Sequence, residues 1–87
     1  MKESNSYQFM AGLIAYIRDR KGLKCKQLAD LLEKDYDYVY KLEKGQKRCS
    51  WDYLDFILKK LGMSMDEFMG YVPEYMAYRQ QEAGKNK

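Results

Sequence analysis

Eighty-seven residues are enough for one domain with a modest core. A hydrophobic share of 46% beside a charged share of 33% describes a folding chain and not a disordered one, and apolar runs of a few residues are far too short for a membrane span. The net charge of +3 is uneven: residues 1–48 carry 11 basic and 7 acidic side chains, and residues 49–87 carry 5 and 6.

Residue types narrow the function further. The chain has no histidine and only two cysteines, Cys25 and Cys49, with no CxxC pair, so neither a structural zinc site nor general-base chemistry at neutral pH is expected. No glycine-rich loop is placed to cradle phosphates, so the chain is not expected to be an enzyme or to need a cofactor or metal. The start MKESNSYQF has no apolar signal region, which predicts a cytoplasmic protein with both thiols reduced. The run RDRKGLKCK sets five basic residues against one acid, a balance that suits a polyanion or a solvated surface.

Helical periodicity dominates the chain from end to end. Met10, Leu13, Ile14 and Ile17 form a first stripe, with Ser6 placed to cap its start and Gly22 to stop it. Leu28, Ala29 and Leu32 form a second, short stripe. A third carries Val39 and Leu42 on its inner side. Trp51, Leu54, Ile57, Leu58 and Leu61 form a fourth, begun by Ser50 and stopped by Gly62. The run SMDE from Ser64 fits a capping box that opens a fifth helix with Phe68. Gly70 breaks that helix, and Pro73 suits the first turn of a sixth segment, PEYMAYRQQEA. Gly84 to Lys87 read as a frayed tail.

The register of LADLL, VYKLEKG and SWDYLDFILKKLGMSMDEF, preceded by IAYIRDRKGL, resembles the lambda-repressor-like, Cro-like (Xre-like) helix-turn-helix DNA-binding domains over Leu13 to Phe68. The resemblance implies an all-α bundle of five short helices. Its second and third helices form the helix-turn-helix, and this chain adds a C-terminal helical segment. Residues 1–70 would then be the DNA-binding domain, and 71–87 an extension of the same compact unit. It also implies an ion pair between Arg18 and Glu43, joining the first and third helices, and Asp35 as the cap of the third. This sequence departs from the family pattern at four places. Cys25 stands where Gln is frequent, Glu33 where Gly is frequent, Lys34 at an apolar turn position, and Cys49 where Pro is common.

Projecting the third helix at about 100° per residue puts Tyr36, Asp37, Tyr40, Lys41 and Lys44 on one outward face. Val39 and Leu42 point inward, and Tyr38 lies on the shoulder as a packing residue. By resemblance, Tyr36, Asp37 and Lys41 occupy base-contacting positions, with Tyr40 between them. Lys24, Cys25 and Lys26 at the start of the second helix, and Lys44, Lys47 and Arg48 after the third, suit phosphates. Asp37 precedes Lys41 by four residues, the favourable order for a helical ion pair.

The leading expectation is a sequence-specific transcriptional regulator that binds double-stranded DNA as a homodimer. The alternative is a protein-interaction module, an anti-repressor or adaptor, that uses the tyrosine-rich face of the third helix. Lys24 and Lys26 flank Cys25, which is then either a redox-sensing thiol or a partly buried, inert one. In YVPEYMAYRQQEA, the apolar side chains either pack on the core or join an exposed Phe56 in a dimer surface.

Overall fold

The computed structural model describes residues 4–85, with side chains described from 8 to 82. Six helices follow in order: α1 (Ser4–Arg20), α2 (Cys25–Leu32), α3 (Tyr36–Glu43), α4 (Trp51–Leu61), α5 (Met65–Gly70) and α6 (Val72–Lys85). There is no strand among the described residues.

Local chemistry accounts for most of the boundaries. Asp35 accepts a hydrogen bond from the Tyr38 N–H at 2.9 Å and opens α3. Ser50 opens α4 in the same way through Tyr53, at 3.1 Å. Ser64 and Glu67 cap each other's backbone N–H groups at 3.1 and 2.8 Å, opening α5. These caps satisfy amide donors that the first turn leaves unpaired. At the start of α2 it is Gln27 that accepts from the Lys24 N–H, at 2.7 Å. The start of α1 differs from expectation. The helix begins at Ser4, so Ser6 lies inside it and not at its start, because extending a nucleated helix by a turn costs little. The other end of the chain differs too. α6 runs through Gly84 and Lys85, which the sequence assigns to a frayed tail; Asn86 and Lys87 lie outside the described residues.

The turn between α2 and α3 holds the chain's one non-glycine residue with positive φ among those described, Glu33 at 59°. Backbone bonds from Glu33 to Asp30 (3.1 Å) and from Lys34 to Ala29 (2.9 Å) close α2 there. Gly22 and Gly62 end α1 and α4 with the same left-handed geometry. For a residue with a Cβ that conformation costs about 1 kcal/mol, so packing on either side must hold the turn. Lys34 contributes. Its ammonium lies 5.0 Å from the centroid of the Tyr38 ring, a cation–π contact that replaces the apolar contact usual at this position.

The core is continuous through α1 to α5, and Ile17, Leu28, Val39, Leu54 and Ile57 are fully removed from solvent. α2 packs on α3, and α1 packs on both α3 and α6. α6 is attached through aromatic rings. Tyr75 is buried against Phe9 and Tyr16, with centroids 5.3 and 5.5 Å away. Its hydroxyl occupies the space where a Cβ at residue 12 would project, so only Gly12 lets α6 sit this close to α1. At the rim, Glu74 accepts from the Tyr16 hydroxyl at 2.5 Å and pairs with Arg20 at 2.8 Å. The C-terminal apolar residues therefore divide. Tyr75 enters the core, while Met76 and Tyr78 remain exposed, as does Phe56.

Trp51 is the clear departure from the expected core. It is 66% exposed, although its spacing matches the inner stripe of α4. Helical side chains lean toward the N-terminus, so the first residue of α4 overhangs the end of the bundle.

One guanidinium fixes α3. Arg18 Nε and Nη2 donate to Glu43 Oε2 and Oε1 at 2.7 and 3.2 Å, and Nη1 donates to the Leu23 carbonyl at 2.6 Å. The two side chains are only 16% and 7% exposed. Burial works against the Arg18 charge, but the hydrogen bonds and negative charge of Glu43 outweigh it and raise its pKa. The Cys25 thiol donates to Glu43 Oε1 at 3.6 Å, which brings the start of α2 into the same cluster. Arg18→Ala and Glu43→Ala should each lower stability by about 2–4 kcal/mol, because each leaves a half-buried charge without its partner. The double variant should lose less than the sum. Thermal or urea denaturation of the three variants checks this, and unchanged midpoints in both single variants would contradict it.

Candidate nucleic-acid interface

The exposed side of α3 is built by what its other side must do. Val39 and Leu42 are buried, Glu43 is held sideways by Arg18, and Asp35 is engaged in capping. Tyr36, Asp37, Tyr40, Lys41 and Lys44 are left facing solvent.

These five side chains are ordered by one another. The Tyr36 and Tyr40 rings stack, with centroids 6.1 Å apart and planes inclined by 23°. The Lys44 ammonium lies 5.4 Å from the Tyr40 centroid. In parallel, Lys41 Nζ and Asp37 Oδ2 pair at 3.2 Å. The face is thus a ridge of two aromatic rings ending in a cation, beside a neutralised acid–base pair. Tyr36 and Tyr40 are 52% and 42% exposed, so neither serves the core.

Around this ridge lies a set of positive charges. Lys47 follows α3, and its ammonium turns back to within 5.2 Å of the Tyr38 centroid. Tyr38 is thereby flanked by Lys34 and Lys47 and also meets Tyr53 edge-on at 6.1 Å. Arg48 is exposed in the same loop, and Lys24 is exposed at the start of α2. Lys26 pairs with Asp30 at 3.3 Å across one turn of α2, a contact between exposed groups that a phosphate can displace at little cost.

Cys25 does not belong with these residues. The sequence places it among the phosphate contacts, but its thiol turns inward to Glu43. Burial first, then the negative charge of Glu43, raise its pKa above the usual thiol range. The flanking lysines therefore do not activate it, since a raised pKa leaves less thiolate. Gln27 and Lys34 were the residues missed. Gln27 stands three residues after the residue it caps, a spacing visible in the sequence, whereas the position of Lys34 over Tyr38 depends on the turn between α2 and α3.

On a different part of the surface, Trp51 and Met69 border an apolar groove of about 430 Å3, with Phe9, Met10, Leu13, Phe68 and Val72 lining the rest. Among the described residues, no helix is long and apolar enough to cross a membrane, and no three side chains cluster as metal ligands would.

Comparison with curated proteins gives no match, and comparison with solved structures gives none either. Comparison with protein families does: residues 14–74 match the Cro/C1-type HTH DNA-binding domain. That span runs from the middle of α1, through the Arg18–Glu43 pair and the exposed ridge of α3, to the first turn of α6. The chain belongs to the Cro/C1-type helix-turn-helix family of DNA-binding domains.

Proposed function

We propose that this protein is a sequence-specific transcriptional regulator that lays the outer face of α3 in the major groove and acts as a homodimer on a two-part site. The observation that carries this reading is an entire helix face without a core duty, bordered by cations at its end and across the turn. Tyr36, Asp37, Tyr40 and Lys41 project from the body of α3 toward base edges. Lys24, Lys26, Lys44, Lys47 and Arg48 lie around it at the level of the phosphates, where cations position a protein without reading sequence. The Asp37–Lys41 pair reduces the repulsion that a lone carboxylate would feel in the groove.

The two groups should separate in a binding assay. Lys47→Ala should weaken binding to every duplex and reduce the salt slope by about one unit. Asp37→Ala should do the reverse, raising non-specific affinity while discrimination falls by about 1–3 kcal/mol if Asp37 accepts from a cytosine N4. Equal changes for Asp37→Ala on selected and scrambled duplexes at one salt concentration would show that Asp37 reads nothing. The exposed tyrosine pair also suits a protein partner, which is the anti-repressor or adaptor reading. That alternative requires little DNA binding even at low salt.

The dimer contact we assign is the groove bordered by Trp51. A protruding ring beside an apolar recess is self-complementary about a two-fold axis, where each copy supplies both parts. It is lined by Phe9, Met10 and Leu13 of α1, Trp51 of α4, Phe68 and Met69 of α5 and Val72 of α6, away from the ridge of α3. Trp51 is the single tryptophan, so indole fluorescence reports the surroundings of this groove. Emission should shift to the blue as concentration rises into the high micromolar range. Trp51→Ser should sediment as a folded monomer at the same concentrations. An emission maximum independent of concentration, with wild-type protein sedimenting as a monomer, would rule the contact out.

A further inference from the structure

We infer that the stacked Tyr36 and Tyr40 rings recognise thymine methyl groups two base pairs apart in the major groove. The inference rests on the DNA-binding reading above and adds the base chemistry that α3 selects. Three observations lead to it.

The first is what α3 lacks. Guanine is most often read by a bidentate Arg or Lys, and adenine by Asn or Gln. The helix sequence YDYVYKLE contains no Arg, Asn or Gln. Its one outward lysine, Lys41, is held 3.2 Å from Asp37. The purine-reading hydrogen-bond donors are therefore missing or engaged. Among the groups that base pairs expose in the major groove, the thymine methyl is the apolar one, and it calls for an apolar surface. That is what the exposed ridge supplies.

The second is order. The Tyr36 and Tyr40 rings restrain each other, and Lys44 lies over the second. Side chains already held in place lose less freedom on binding, so more of the contact energy remains as affinity.

The third is spacing. Residues four apart on a helix advance about 6 Å, and the centroids are 6.1 Å apart. Base pairs repeat at about 3.4 Å along the duplex axis. With the axis of α3 parallel to the duplex axis where it enters the groove, the two rings match methyl groups separated by two steps, and one intervening base pair lies between them. Phosphate contact through the tyrosine hydroxyls would be indifferent to this spacing and to the methyl.

Replacing thymine by deoxyuridine removes the methyl and keeps the base pairing and the O4 acceptor, which makes it the appropriate probe. The protein first selects duplexes from a random pool, and each thymine of a selected duplex is then replaced singly. Affinity should fall about three- to fivefold at two thymines two base pairs apart in each half-site, the loss expected for one buried methyl. Tyr36→Ala should abolish the loss at one of these positions and Tyr40→Ala at the other. Both rings are exposed, so circular dichroism should show both variants folded. Selected duplexes that bind equally well with uracil at every position would overturn the inference and leave the DNA-binding reading intact. Losses that persist unchanged in both tyrosine variants would overturn it as well. A protein that selects no sequence from the pool at low salt would remove the reading itself, and the inference with it.

Discussion

The geometry of α3 depends on the fork of Arg18. One planar guanidinium, itself on α1, reaches α3 through Glu43 and the turn before α2 through Leu23. A lysine has no fixed fork with which to hold both partners at once. The pair also decides what α3 shows to solvent. With Glu43 turned toward α1, and Val39 and Leu42 in the core, the rotation of the helix is set. The ridge of Tyr36 and Tyr40 follows from that rotation.

Each carboxylate between Asp35 and Glu43 has a partner within the protein. Asp35 caps α3, Glu43 is paired with Arg18, and Asp37 is paired with Lys41. The negative residues are thus engaged in structure or neutralised within one helical turn. The surrounding cations are organised by tyrosine. Lys34 and Lys47 lie over Tyr38, and Lys44 over Tyr40. Each ammonium stays beside a ring of α3. An aromatic helix face inside a cationic border is the surface on which the proposed groove contact rests.

Local chemistry was legible in the residues themselves, whereas contacts between distant elements were legible only where the family resemblance supplied them, as for Arg18 and Glu43. Ser50, Ser64 with Glu67, Gly22 and Gly62 act on their own or adjacent turns, so their spacing already identifies them. The Asp37–Lys41 pair is legible for the same reason. Cys25 is the opposite case. Its neighbours Lys24 and Lys26 leave an activated and an inert thiol both open, and the choice is made by burial and by Glu43, eighteen residues away. Trp51 keeps the period of the α4 stripe but lies where the bundle ends, which periodicity cannot register. Glu33 stands where Gly is frequent, and only the backbone shows that it takes up the left-handed conformation itself. The attachment of α6 depends on Gly12 and Tyr75, sixty-three residues apart, and no local pattern joins them.

On the reading proposed above, the face exposed by this arrangement of α3 is the surface that meets DNA. Titration of isotope-labelled protein with a selected duplex, followed by amide chemical shifts, tests it most directly. The largest changes should fall on Tyr36, Asp37, Tyr40, Lys41 and Lys44, with smaller ones at Lys24 and Lys26 across the turn. The amides of α6 beyond Val72 should hardly move, and the Trp51 indole should move no further than dimerisation of the free protein moves it. Changes centred on Trp51, Met69 and α6, with the α3 amides unmoved, would contradict the account.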